Sequence, residues 1–154
     1  MNGVPVEESP ISDDHRIVRY CKFTSLENGE PGPTSFARKP DEAYVSVNDA
    51  DMFDDAELKD RVSKSKALIL PWLRGMGKNG LLAVSSARDV RAIEASPSLE
   101  AKYHPIAADA ARPANPFHGG IWHVPTEAEM ETARASVLIA LAETAKEWWK
   151  ASDV

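Results

Sequence analysis

The sequence predicts a single α+β domain: a sheet of about five strands, mixed or antiparallel, with two longer helices and one short helix. Three observations lead there. Segments of period two and segments of helical period follow one another as strand, strand, helix, strand, helix, strand, strand, helix, not in the strict alternation of a parallel α/β protein. A chain of 154 residues is long enough for one domain with its own core and too short to expect two. Its 43% hydrophobic and 27% charged residues are those of an ordinary globular protein.

Taken in order, residues 1–14 carry two prolines and a run of acidic side chains without periodicity, so they read as a flexible tail before a globular domain over 15–154. "RIVRYCKF", 16–23, alternates Ile17, Arg19, Cys21 and Phe23 with Val18, Tyr20 and Lys22, a strand covered on both faces. "ENGEPGP" is a turn, and "AYVSVN", 43–48, a second strand. Asp54 with Glu57 resembles a capping box that opens a helix through Leu58, Val62, Ile69 and Trp72, and Pro71 bends or ends it. "LLAVS", 81–85, is a third strand, and Ser86 with Asp89 caps the short helix "ARDVRAIEA". "KYHPIAADA" is a fourth strand, placed at an edge by Pro105. "HGGIWHV", 118–124, is the fifth. Thr126 with Glu129 then starts a last helix whose stripe is Met130, Val137, Leu141, Ala145 and Trp148.

The composition excludes several functions. A net charge of −6 and a pI near 5.2 oppose general nucleic-acid binding, which depends on Lys and Arg neutralising phosphates. Cys21 is the only cysteine, so neither an internal disulfide nor a thiolate zinc site is expected. No apolar run approaches the roughly 18–20 residues of a membrane span, and the acidic N-terminus is unlike a signal peptide, so the expected location is cytoplasmic. "RGMGKNG", 74–80, holds Lys78 among three glycines but lacks the Gly-Lys-Ser/Thr ending of a phosphate loop. In an extended "HGGIWHV", His118 and His123 point to opposite faces, so no metal is expected there, and no cofactor is called for. His118 stands where a proline-rich loop enters a strand, facing Ser46 and Asn48. A simpler role for it is to bond a backbone carbonyl and fix the loop. His15 directly follows the tail and is read with it. Trp148 and Trp149, about 100° apart on a helix, cannot share one stripe; one of them marks a contact.

"RYCKFTSLENGEPGPTSFARKPDEAYVSVN", "LLAVSSARDVRAI" and "NPFHGGI" together resemble a family of small uncharacterised bacterial proteins with Arg-Tyr, Leu-Ser-Val-Asn and Asn-Pro-x-His motifs. The matching positions are Arg19, Tyr20, Gly29, Phe36, Ser46, Val47, Asn48, Asp89, Val90, Arg91, Pro116 and His118, over about residues 16–121. The resemblance implies a gene neighbourhood of ubiquitin-like modification or mobile-island genes, and no activity. After the Ser-Val-Asn strand this chain reads "DADMF" where relatives carry Trp-x-x-Tyr/Phe, so a ligand contact from that region is not carried over.

Two functions follow as expectations. The first is an accessory protein-binding module in a bacterial modification or conflict (defence) system, with His118, Ser46, Asn48, Arg19, Arg38 and Trp149 as binding residues. The second is a small enzyme or toxin acting on a nucleotide or RNA end, through a cleft where Arg19, Arg38, Ser46 and His118 meet. A protein partner is expected; a small-molecule or nucleotide ligand and a homo-oligomer are both compatible, while nucleic acid and membrane are not expected.

Overall fold

Alternation in "RIVRYC" sorts the side chains of the first strand onto two faces, and both faces are covered. In the computed structural model, which describes residues 3–132 and 134–154, β1 (Arg16–Cys21) sends Ile17 and Cys21 into one core and Val18 into another. A two-stranded ribbon of β2 (Leu26–Glu27) and β3 (Glu30–Pro31) follows, then β4 (Tyr44–Asp49). Helix α1 (Leu58–Ile69) leads to β5 (Leu81–Ser86), and α2 (Ala87–Arg91) leads to β6 (Glu100–Tyr103) and β7 (His118–Trp122). Helix α3 (Ala135–Thr144) and β8 (Glu147–Lys150) complete the order. Six strands form one antiparallel sheet, β6-β7-β4-β1-β5-β8, one strand more than expected.

One face of the sheet carries Ile17, Val45, Val47, Ala83 and Ile121 against Val90 of α2 and Leu138 and Leu141 of α3. The other buries Val18, Leu82 and Val84 against Val62 of α1. Each valine, leucine or isoleucine among them contributes about 1.5–3 kcal/mol when fully buried. Helix α2 starts as expected, Ser86 Oγ accepting from the Asp89 N–H at 3.0 Å. Helix α1 does not. Its N-cap is Glu57 with no side-chain cap, and its first turn is tied by Arg61 donating to the Asp55 carbonyl at 2.7 Å.

The N-terminal segment departs from the flexible-tail expectation; residues 1 and 2 lie outside the described residues. The amides of Glu8 and Ile11 donate to the carbonyls of Tyr103 and Ala101, and Ser9 O accepts from Tyr103 N–H, so the segment lines the outer edge of β6. Ile11 is fully buried. A Cβ at Gly119 would stand 2.9 Å from Ile11 Cδ1 and 2.7 Å from the Lys102 carbonyl, so this glycine makes room for the isoleucine. One apolar side chain in an acidic stretch secures the docking.

The last helix also differs. Thr126 and Glu129 do form a capping box, but it caps a single 3-10 turn, Glu127–Glu131, and α3 starts only at Ala135. The helix stops at Thr144, and the tryptophans lie on β8. Trp149 pairs with Leu82 and Trp148 with Ala83, on opposite faces of the sheet. Strand geometry turns successive side chains by about 180°, which places both indoles against cores that one helical stripe could not reach. The open edge of β5 and the β preference of tryptophan outweigh the helical continuation.

Candidate functional site

Strands β1 and β4 lie side by side in the middle of the sheet but pair only at Ile17–Asp49 and Val18–Asn48. Beyond those positions they part. Arg19 spans the fork, donating from Nη1 to the Ser46 carbonyl and from Nε to the Ser35 carbonyl, both at 3.0 Å. Because N–H and C=O of one strand residue point the same way, the Ser46 N–H also faces the fork. A cavity of about 720 Å³ opens there, a volume suited to a ligand of nucleotide size.

Arg19, Arg38, Ser46 and His118 all line this one cavity. Asn48 lies behind the wall, fully buried, and Trp149 is on the far edge of the sheet, away from it. The wall also holds Lys22, Lys39 and Arg74, against only two carboxylates, Glu42 and Glu127. In a chain of net charge −6 this is a local reversal of sign. The arginines do not neutralise one another's surroundings: Arg38 donates to the carbonyls of Val124, at 3.0 Å, and Glu42, at 2.8 Å. Among the described residues neither Arg19 nor Arg38 has a carboxylate within ion-pair distance. Burial lowers the Arg19 pKa from its usual value, but a guanidinium remains charged at neutral pH.

His118 is buried, and its Nδ1 lies 2.7 Å from the His104 carbonyl. A carbonyl only accepts, so Nδ1 carries the hydrogen and Nε2 of the neutral ring carries the lone pair. Burial holds the His118 pKa below its ordinary value, outweighing the bond to the His104 carbonyl, which raises it, so the ring is neutral at pH 7. The carbonyl bond that fixes the loop and the cavity-lining position therefore coexist. In the ladder His118 stands opposite Asn48, and Ser46 opposite Gly120. A Cβ on Gly120 would meet the Tyr44 ring at 2.5 Å, so this glycine lets Tyr44 lie over the strand and form one wall of the cavity. Asn115 Nδ2 donates to Asn48 Oδ1 at 2.8 Å, leaving Asn48 Nδ2 and Asn115 Oδ1 buried without partners. Exchanging both amides would leave one donor and one acceptor unpaired just the same.

Sequence reasoning missed a second polar group. His15, assigned to the tail, places Nδ1 2.7 Å from the fully buried Asp49 carboxylate, which also accepts from the Tyr103 hydroxyl. Burial raises the Asp49 pKa, and the bonds from Tyr103 and His15 counter it. Continuing the alternation of β4 by one residue beyond Asn48 would have placed Asp49 inward. Lys22, Arg74 and Tyr44 reach the cavity from separate segments, and no local pattern could have joined them.

His123 adopts φ 70°, which ends the alternation of β7, and its Nε2 stands 3.7 Å from Glu100. Among the described residues no group of three or more His, Cys, Asp or Glu could hold a metal ion, and no helix is long and apolar enough to cross a membrane. Cys21 is buried without a disulfide partner, its thiol pushed up to about 11 by burial. The class defined by fold and site is thus an α+β domain with a basic cavity in a forked antiparallel sheet. Compared with protein-family models, curated proteins and solved structures, the chain matches none.

Proposed function

We propose that this protein binds a small anionic molecule of nucleotide size in the fork between β1 and β4. Arg19 is the observation that carries the reading. Its half-buried guanidinium is held in place by two carbonyls and has no carboxylate partner among the described residues. Taking a cation out of water is costly unless an anion meets it, and a ligand phosphate or carboxylate fits that need. Lys22 and Arg74 add mobile positive charge at the rim, and Tyr44 and Trp72 offer aromatic surface to a base or another flat group. His118 Nε2 is an acceptor for a ligand hydroxyl or N–H, and this is the atom that would take a proton if the bound nucleotide or RNA end were also a substrate.

The protein-partner reading drew on the acidic charge, on the lack of a catalytic constellation and on a helical pair of tryptophans. With each indole on its own face of the sheet, that motive is weaker than the unpaired arginine.

Calorimetric titration with inorganic phosphate, AMP and GMP tests the proposal. Arg19→Met should weaken binding about 10- to 100-fold, the range expected for losing a charge-assisted hydrogen bond. Arg74 is exposed and makes no hydrogen bond or ion pair among the described residues, so Arg74→Met tests charge without touching the fold. It should weaken binding a few-fold. No binding of any of the three anions, or unchanged affinity in both variants, would reject the site.

A further inference from the structure

The two edges of the main sheet are treated differently. The N-terminal segment covers β6, whereas β8 is the last strand on its side, with nothing hydrogen-bonded beyond it among the described residues. Its outward groups can be read from the register. Strand β8 pairs with β5 as Leu82–Trp149 and Leu81–Lys150, and in the same register Ala151 N–H donates to the Gly80 carbonyl at 2.9 Å. In an antiparallel ladder alternate residues direct both backbone groups to the same neighbour. Ala151, Trp149 and Glu147 therefore face β5, and the N–H and C=O of Trp148 and Lys150 point away from the sheet. Of the two, Trp148 lines a shallow hollow formed by 146–149. Among the described residues no proline or covering loop blocks the edge, and of the usual protections it carries its shortness and the charged Glu147 and Lys150 at its two ends.

We infer that β8 is a dimerisation edge, and that its partner is the β8 of a second copy of this chain. A two-fold axis normal to the sheet keeps each face on its own side, so only residues of equal parity can stand opposite one another. With the axis at Trp149, Trp148 of each copy faces Lys150 of the other, and all four outward backbone groups of each strand are paired across the interface. On one face each Lys150 ammonium then meets the other copy's Trp148 indole, an attractive cation–π contact. On the other face the two Trp149 side chains come together at the closely spaced, non-hydrogen-bonded position. The self-complementarity of this register is what selects a second copy over an unrelated strand. Four residues per strand make a small interface, so the association is concentration-dependent.

Lys150→Pro is the decisive variant. Lys150 has φ −58°, the value proline imposes, and its N–H is not used in the ladder with β5. Proline there removes an outward donor while leaving the folded edge intact. Sedimentation equilibrium over about 1 μM to 1 mM spans weak association. The wild-type mass should climb from 16.8 kDa toward twice that, Lys150→Ala should also climb, and Lys150→Pro should stay at 16.8 kDa. A wild-type chain that remains monomeric throughout, or a folded Lys150→Pro that associates like the wild type, would overturn the inference. Should Lys150→Pro fail to fold, hydrogen exchange of the wild type decides: the amides of Trp148 and Lys150 should slow with concentration while those of Glu147 and Trp149 do not. Equal behaviour of all four would also overturn it.

Discussion

Replacing Ile11 by alanine tests the least expected packing in the fold, the docking of an acidic N-terminal segment through one side chain. Ile11 is fully buried, belongs to the larger core cluster and fills the space that Gly119 leaves open. Removing a buried isoleucine side chain costs about 2–5 kcal/mol, the transfer energy plus the cavity left behind. The neighbour on one side is backbone, that of Gly119, which cannot collapse into the gap. A loss of about 3 kcal/mol is therefore expected. With a urea slope of about 1.5–2 kcal/mol/M for a chain of this size, the unfolding midpoint should fall by about 1.5–2 M. The melting temperature should fall by about 6–12 °C. A truncation ending at Glu7 is the control: it spares the bonds between Glu8, Ser9 and Ile11 and β6, and loses the exposed Glu7–His104 pair, worth under about 1 kcal/mol, and the exposed turn in which the Val6 carbonyl accepts from the Ser9 amide and hydroxyl. A shift below about 0.3 M for Ile11→Ala would show that the segment is not part of the cooperative fold, and the reasoning fails.

Two further outcomes follow from the buried titratable groups. His118 has its folded pKa below the ordinary value, so between that pKa and about 6.5 the unfolded chain binds more protons. Stability from this group is complete above about pH 6.5 and is lost as the pH falls toward the folded pKa. His118→Asn, which keeps a donor for the His104 carbonyl and cannot titrate, should have urea midpoints at pH 5 and pH 8 that lie closer together than those of the wild type; an equal separation would contradict the burial assigned to His118. Cys21, buried with its thiol pushed up to about 11, should resist a disulfide reagent at pH 8 in the native protein and react stoichiometrically in urea. Rapid labelling without denaturant would place the thiol outside the core.

The amino-acid order by itself determined the elements whose signals are local. Alternation in "RIVRYC" and "YVSVND" specifies strands because a pleated chain turns successive side chains to opposite faces, the short apolar run of "LLAVSS" specifies a third, and all three are central in the sheet. Ser86 capping α2 and Pro71 in the 3-10 turn that ends α1 act within a few residues, so they too were legible. The positions Arg19, Arg38, Ser46 and His118 could be singled out one by one. Tertiary structure alone decided the rest. Residues 8–11 dock and 147–150 pair as a strand because β6 and β5 present unpaired edges to them, groups contributed by sequence 50 to 100 residues distant. Asp49, Tyr103 and His15 become one network only when β1, β4 and β6 are assembled. The basic cavity has the same origin: it exists because β1 and β4 part after two pairs and Arg19 bridges the gap, and a separation between strands is a property of their pairing, not of either strand.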